Sequence, residues 1–119
     1  MKRGILLFAH GARDPRWIEP FEAVAQRMRT LEPALDVELG FLELMAPDMR
    51  GAGAALVGRG CTRVDVVPLF LGAGGHVRKD LPLLVAELEA LHPSVRWALR
   101  AAIGEHPAVI EAIARSAME

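Results

Sequence analysis

The chain predicts an α/β fold: a four-stranded parallel sheet with helices on both faces. Three observations lead there. Four short apolar runs have the length of strands, the segments between them carry apolar residues at helical spacing, and glycine, proline or acidic residues punctuate the boundaries. Strands that alternate with helices in this way imply parallel pairing, because right-handed crossovers return each strand to one sheet and leave helices on its faces.

The elements follow in order. Residues 4 to 9, "GILLFA", form an uninterrupted apolar run, the pattern of a strand buried on both faces. From Trp17 the rhythm changes: Trp17, Phe21, Val24, Ala25, Met28 and Leu31 recur at helical spacing, and Pro33 marks the stop. In "DVELGFLE", Val37, Leu39 and Phe41 alternate with Glu38 and Gly40, which predicts a strand with one wetter face at an edge of the sheet. Pro47 is expected to open the next helix, with Asp48 as an acid of its first turn. The run 48 to 58 is alanine-rich but interrupted by Gly51, Gly53 and Gly58. "TRVDVVPLFL" is a β-branched strand with an irregularity expected at Pro68. Val77, Leu81, Leu84, Val85, Leu88 and Leu91 make a third helical stripe. "SVRWAL" is a short fourth strand, and "HPAVIEAIARSAM" a closing helix with Pro107 in its first turn. The expected organisation is one domain over residues 1–119, with no linker, repeat or low-complexity tail.

Composition narrows the function. Fourteen basic residues stand against fifteen acidic ones, a net charge of −1, which argues against a nucleic-acid binder. The apolar runs fall short of the ~20 residues that span a bilayer. Lys2 and Arg3 followed by "GILLFA" resemble a signal peptide only superficially, since "HGARDP" follows with no cleavage region. Cys61 is the single cysteine, so no intrachain disulfide forms, and a cytoplasmic location is the expectation. A chain this short has no second lobe; chemistry needing a two-walled cleft requires a second subunit.

Open α/β sheets bind ligands beyond the carboxyl ends of their strands. His10 follows the first strand, Glu43 the second and His76 the third. Imidazole both ligates transition metals when neutral and accepts protons near neutral pH. A closed structural zinc site wants four ligands, and Cys61 has no cysteine partner, so an open, exchangeable metal position suits these residues better. Glu43 reads either as a surface or capping carboxylate or as a third ligand and proton acceptor. Gly72, Gly74 and Gly75 form a bare loop before the third helix. "GAGGHVRKD" lacks the Gly-Lys-Ser/Thr ending of a phosphate loop and "HGARDP" lacks GxGxxG, which disfavours a nucleotide enzyme. Small residues here would let a broad flat ligand approach the backbone. Arg13, Arg16, Arg78 and Lys79 follow the two histidines and would favour a substrate bearing several carboxylates, while Asp14 and Asp80 either cap helices or pair with these bases.

"LFAHGARDPRW", "GFLELMAPDM" and "VVPLFLGAGGHVRKDLP" together resemble the small form of the CbiX/SirB family of sirohydrochlorin chelatases, over essentially the whole chain. The resemblance implies a flavodoxin-like half of a class II chelatase, working as a homodimer on sirohydrochlorin or a related polycarboxylated tetrapyrrole. It implies insertion of a divalent metal, cobalt first and iron or nickel as alternatives, with no organic cofactor. It places metal binding and proton removal on His10 and His76, and the acidic residue of the family's phenylalanine-x-glutamate segment on Glu43. Arg13, Arg78 and Lys79 would hold the ring's carboxylates, with Arg16 a weaker candidate, and Gly74 and Gly75 would line its path. One departure is visible: Ala12 stands where the family's first motif commonly has serine. Competing readings are a non-catalytic metal or tetrapyrrole carrier using the same histidines, a receiver-like signalling module, and an assembly subunit without a ligand. A receiver would need an acidic cluster after the first strand and an aspartate after the third, where this chain has His10 and the glycine loop.

Overall fold

The computed structural model describes residues 2–72 and 74–119, with the side chain of His76 outside that description. Four strands, β1 (Arg3–Ala9), β2 (Asp36–Phe41), β3 (Arg63–Pro68) and β4 (Arg96–Leu99), pair in parallel in the order β2-β1-β3-β4. Four α-helices connect or follow them: α1 (Glu19–Leu31), α2 (Met49–Gly58), α3 (Gly75–Leu91) and α4 (Pro107–Met118). The sheet runs outward in both directions from the β1–β3 pair, and this reversal of strand order is where an open α/β sheet forms its crevice.

Strand alternation divides the core. Leu6 and Phe8 of β1, with Val64 and Val66 of β3, face α2 and α3 and join Leu56, Leu81, Val85, Leu88 and Trp97 in the larger cluster. Ile5 and Leu7, with Val37, face α1 and enclose Ala25. Each fully buried Leu, Val or Phe contributes about 1.5–3 kcal/mol, so the two central strands account for most of what holds the sheet to its helices. The glycines that interrupt α2 have a packing reason at one position. A Cβ on Gly53 would lie 2.7 Å from Leu88 and 3.2 Å from the Trp97 ring, so the missing side chain brings α2 against α3 and β4.

β2 lies at an edge, as its alternation implies. Other boundaries differ from the sequence expectation. Trp17 belongs to a 3-10 turn, Pro15–Ile18, capped by Asp14, and the α-helix starts only at Glu19. Pro47 does not open α2: Asp48 is its N-cap, the carboxylate accepting from Gly51 N–H at 2.9 Å, and is not an acid within the first turn. β3 stops at Pro68, although Leu69 N–H still donates to Phe8 C=O at 2.8 Å. Leu31 and Leu91, at the ends of their helical stripes, are exposed. The largest departure is α4, which buries none of its residues. The sheet is covered on one face by α2 and α3 and on the other by α1.

Candidate functional site

The carboxyl ends of β1 and β2 are joined beyond the strands themselves. Leu42 N–H donates to Ala9 C=O at 3.0 Å, and Glu43 N–H to His10 C=O at 3.1 Å, continuing the ladder for two more residues. The segment after Phe41 then loops out and returns, because Phe41 N–H donates to Pro47 C=O at 2.9 Å. Met45 N–H donates to Glu43 C=O at 2.8 Å around Leu44, whose φ is +66°. Backbone hydrogen bonds therefore place His10 and Glu43 side by side at the edge, with both side chains exposed.

Gly11 makes this approach possible. Its φ is +90°, and a Cβ there would sit 1.8 Å from Glu43 C=O. Only glycine combines that conformation with that contact. The His10 ring rests on Phe70, centroids 4.6 Å apart and planes at 40°, and Phe70 in turn meets Phe8 edge-on at 5.8 Å. Phe70 is buried, so a stack rooted in the core holds one face of the imidazole while leaving the ring open to solvent.

After β3, Gly74 caps α3 and Gly75 begins it. Neither glycine, nor Gly72, has a positive φ, and a Cβ on any of the three would meet nothing within 4 Å. Packing among the described residues does not require these glycines. The backbone of His76 lies in the first turn of α3; its side chain, named above as a metal ligand, falls outside the described residues.

The basic residues are not equivalent. Arg13 and Lys79 are exposed and form no hydrogen bond or ion pair with another described residue. Arg78 lies 3.8 Å from Glu105, so an incoming carboxylate there would compete with Glu105. Arg16 is engaged by Asp14, through Nη2 to Oδ2 at 3.1 Å, and this side-chain bond with the Arg16 N–H holds Asp14 below the usual carboxylate range. Among the described residues no three His, Cys, Asp or Glu side chains group closely enough to hold an ion. His10 and Glu43 thus form an open edge. A nearby depression of about 210 Å³, lined by Pro68, Arg78, Arg100 and Glu105 among others, is smaller than the roughly 300–1,000 Å³ of pockets that enclose drug-sized ligands. The larger hollow of about 650 Å³ lies by Lys2, Arg3 and Glu32, at the opposite end of the strands. Sequence reasoning did not anticipate Phe70 or the contact between Gly11 and Glu43; the parallel register of β1 with β3, which pairs Phe8 with Pro68, is the signal that locates Phe70 beside His10.

A four-stranded parallel sheet of this order, flanked by helices on both faces, is the half-domain of the class II chelatases. The family model for CbiX matches residues 4–119, and the chain belongs to the CbiX family. It is 30% identical to the sirohydrochlorin ferrochelatase of Bacillus subtilis (strain 168) over 113 residues, 95% of this chain and 43% of the relative. It is 35% identical to the sirohydrochlorin cobaltochelatase of Methanosarcina acetivorans over 81 residues, 68% of this chain and 62% of the relative. The chain therefore spans less than two thirds of each of these curated relatives. The structure of the sirohydrochlorin chelatase SirB from Bacillus subtilis subspecies spizizenii in complex with cobalt superposes with a TM-score of 0.85 at 30% identity, covering 99% of this chain and 50% of that one. Among the described residues no helix is long and apolar enough to cross a membrane.

Proposed function

We propose that this protein inserts a divalent metal ion into sirohydrochlorin or a closely related polycarboxylated tetrapyrrole, with cobalt the first candidate and iron or nickel next. In this reading residues 1–119 are one chelatase half that works as a homodimer in the cytoplasm. The observation that carries it is the pairing of His10 with Glu43 at the carboxyl edge of a CbiX-family sheet, fixed by the Glu43 N–H to His10 C=O bond and the bare Gly11.

The reaction exchanges one M²⁺ for two pyrrolic protons, so the site must deliver an ion and take up protons. His10 and Glu43 bind the ion as it sheds water, and either can accept a proton as the ion transfers. His76, the second histidine of the family resemblance, completes the set. Arg13, Arg78 and Lys79 hold the ring's carboxylates, and Gly74 and Gly75 leave its path clear of side chains. Holding ring and ion in contact supplies the proximity term.

The test is anaerobic insertion of Co²⁺, Fe²⁺ and Ni²⁺ into sirohydrochlorin, followed by the visible absorbance of the product with the protein-free rate subtracted. The expected outcome is catalytic turnover that falls on the order of 10²-fold or more in His10→Ala, the scale of a lost acid–base group. Binding of metal or tetrapyrrole in stoichiometric amount without turnover would establish a carrier in its place. A His10→Ala protein at the wild-type rate would remove that residue from the mechanism.

A further inference from the structure

Two exposed leucines flank the His10–Glu43 edge, and an unusual backbone arrangement holds each of them there. Leu44 follows Glu43 and is 57% exposed. It is the centre of a γ-turn, closed by the Met45 N–H to Glu43 C=O bond of 2.8 Å, with φ +66°. A γ-turn of positive φ is rare and strained for a residue with a side chain, whereas glycine adopts it freely. Leu71 follows Phe70, the platform under the His10 ring, and is 75% exposed. Its backbone is gripped by the 3-10 turn Ile103–Glu105. Gly104 N–H donates to Phe70 C=O at 2.9 Å, and a Cβ on the buried Gly104 would lie 2.2 Å from Leu71 C=O and 2.3 Å from Leu71 Cα.

Scattered exposed leucines are ordinary on a protein surface. Leu31 and Leu91 are of that kind: they end α1 and α3 at the opposite side of the sheet from His10. Leu44 and Leu71 differ in being fixed to the groups that define the site. One is a single peptide from Glu43, whose N–H is bonded to His10 C=O; the other is a single peptide from the ring on which His10 rests. Stability alone favours glycine at position 44, so a leucine there needs another reason. A polycarboxylated macrocycle supplies one, because it has a charged periphery and flat apolar faces. Arg13, Arg78 and Lys79 suit the periphery and leave the faces without a partner.

The geometry points to Leu44 and Leu71 as the residues that seat the apolar face of the tetrapyrrole and position it over the ion held by His10 and Glu43. This assignment rests on the chelatase reading above and names the groups that recognise the ring itself, as distinct from its charge. Covering both leucines against the ring removes apolar surface from water, a gain that salt does not screen. Exposed arginine and lysine cannot provide that, since their attraction for carboxylates fades with ionic strength. Both leucines stand on backbone already fixed by hydrogen bonds, so little main-chain freedom is lost when the ring arrives.

The test titrates metal-free sirohydrochlorin anaerobically into the full chain, followed by tetrapyrrole fluorescence, with melting temperature and light-scattering mass measured for every variant. Leu44→Gly should melt at or above the wild-type temperature, because glycine relieves the turn, and yet bind the ring about tenfold more weakly. Leu71→Ser should also bind about tenfold more weakly, with Leu71→Met restoring affinity, and the double variant should lose on the order of 10²-fold. Leu91→Ser, equally exposed at the far end of α3, should bind as the wild type does. In the insertion assay Leu44→Gly and Leu71→Ser should raise KM for the ring about tenfold at unchanged kcat, and calorimetric affinity for Co²⁺ alone should not move. Wild-type ring affinity in either variant overturns the assignment, as does a wild-type protein that binds no ring. A changed mass in either variant also overturns it, since the leucine then belongs to a subunit interface. The two hypotheses separate cleanly: ring binding through the leucines without metal insertion keeps the assignment and removes the chelatase reading, whereas insertion unimpaired in both variants does the reverse.

Discussion

Gly11→Ala tests the site geometry most directly. The new Cβ would fall 1.8 Å from Glu43 C=O, and real Cβ contacts essentially never come below 3.0 Å, so the two segments must part by about 1.2 Å. Alanine at φ +90° costs on the order of 1–3 kcal/mol. Losing the Glu43 N–H to His10 C=O bond adds about 1 kcal/mol. The sum, about 2–4 kcal/mol, is less than the roughly 5–15 kcal/mol that holds an ordinary domain folded. The variant should therefore fold and melt about 8–16 °C lower, taking about 4 °C per kcal/mol for a chain of this size. Activity should suffer more than stability, because a displacement near 1 Å in a reacting constellation costs on the order of 10²-fold.

The assay is metal insertion at a temperature well below both melting points, with Gly75→Ala measured beside it. Gly75 begins a helix and has open space, so alanine there should hold or raise the melting temperature, a gain of about 0.5–1 kcal/mol. If Gly11→Ala melts with the wild-type protein and inserts metal at its rate, then the Gly11–Glu43 contact does not organise the site.

Phe70→Ala removes the platform under His10 and the edge contact to Phe8; it should cost about 3–5 kcal/mol by thermal or urea melting and lower turnover at unchanged metal affinity for the free ion. Asp65→Asn removes the buried carboxylate that Arg3 reaches through Nη2 at 2.7 Å; because the arginine left behind is half exposed and solvated, urea melting should show a loss of about 1.5–3 kcal/mol, that of a hydrogen bond to a charged group, and not that of a stranded buried ion. Asp36 is held below the ordinary carboxylate range chiefly by the Lys2 ammonium at 3.0 Å, so its contribution is present above the unfolded-state value and is lost as pH falls through the folded one. Asp36→Asn should flatten the acid limb of the melting-temperature profile. Burial pushes the Cys61 thiol up, so the opposite sign applies: stability is full below the unfolded thiol value and declines as pH rises beyond it, and Cys61→Ala should remove that alkaline loss.

The strands were legible because each is a short apolar run whose neighbours could only be crossovers. The convergence of His10 and Glu43 was legible for a related reason: residues directly after strands in an open parallel sheet converge whatever lies between them. That argument brought His10 and Glu43 together before any coordinate. Local competition hid other features. Pro47 and Asp48 both suit a helix start, and the hydrogen bond from Gly51 N–H decides for Asp48 as cap. Phe70 became a support for His10 only through the β1–β3 register, which no local pattern encodes. For α4 the periodicity correctly announced a helix with one apolar side, yet amphipathicity states that a face wants burial and is silent about which chain buries it.

An exposed pair of side chains, His10 and Glu43, is also a physically sensible form for the proposed chemistry. Closed four-ligand metal sites reach apparent binding energies of about 10–16 kcal/mol. Near the upper end that corresponds to picomolar dissociation constants, and even an ion arriving at the diffusion limit of about 10⁹ M⁻¹s⁻¹ would then leave in roughly a quarter of an hour. An enzyme whose metal is its substrate cannot turn over on that schedule. His10 and Glu43 stand at an open edge, one seated on Phe70 and the other held by its backbone, so in the proposed role their positions are fixed while most of the ion's coordination would be left to other ligands. In the proposed reaction the remaining ligands would come from the ring that is to receive the ion, and the free energy of completing its shell would favour transfer into the product. On that argument, adding a further strong ligand beside Glu43, for example Leu44→His, should tighten metal binding in calorimetry and slow turnover together.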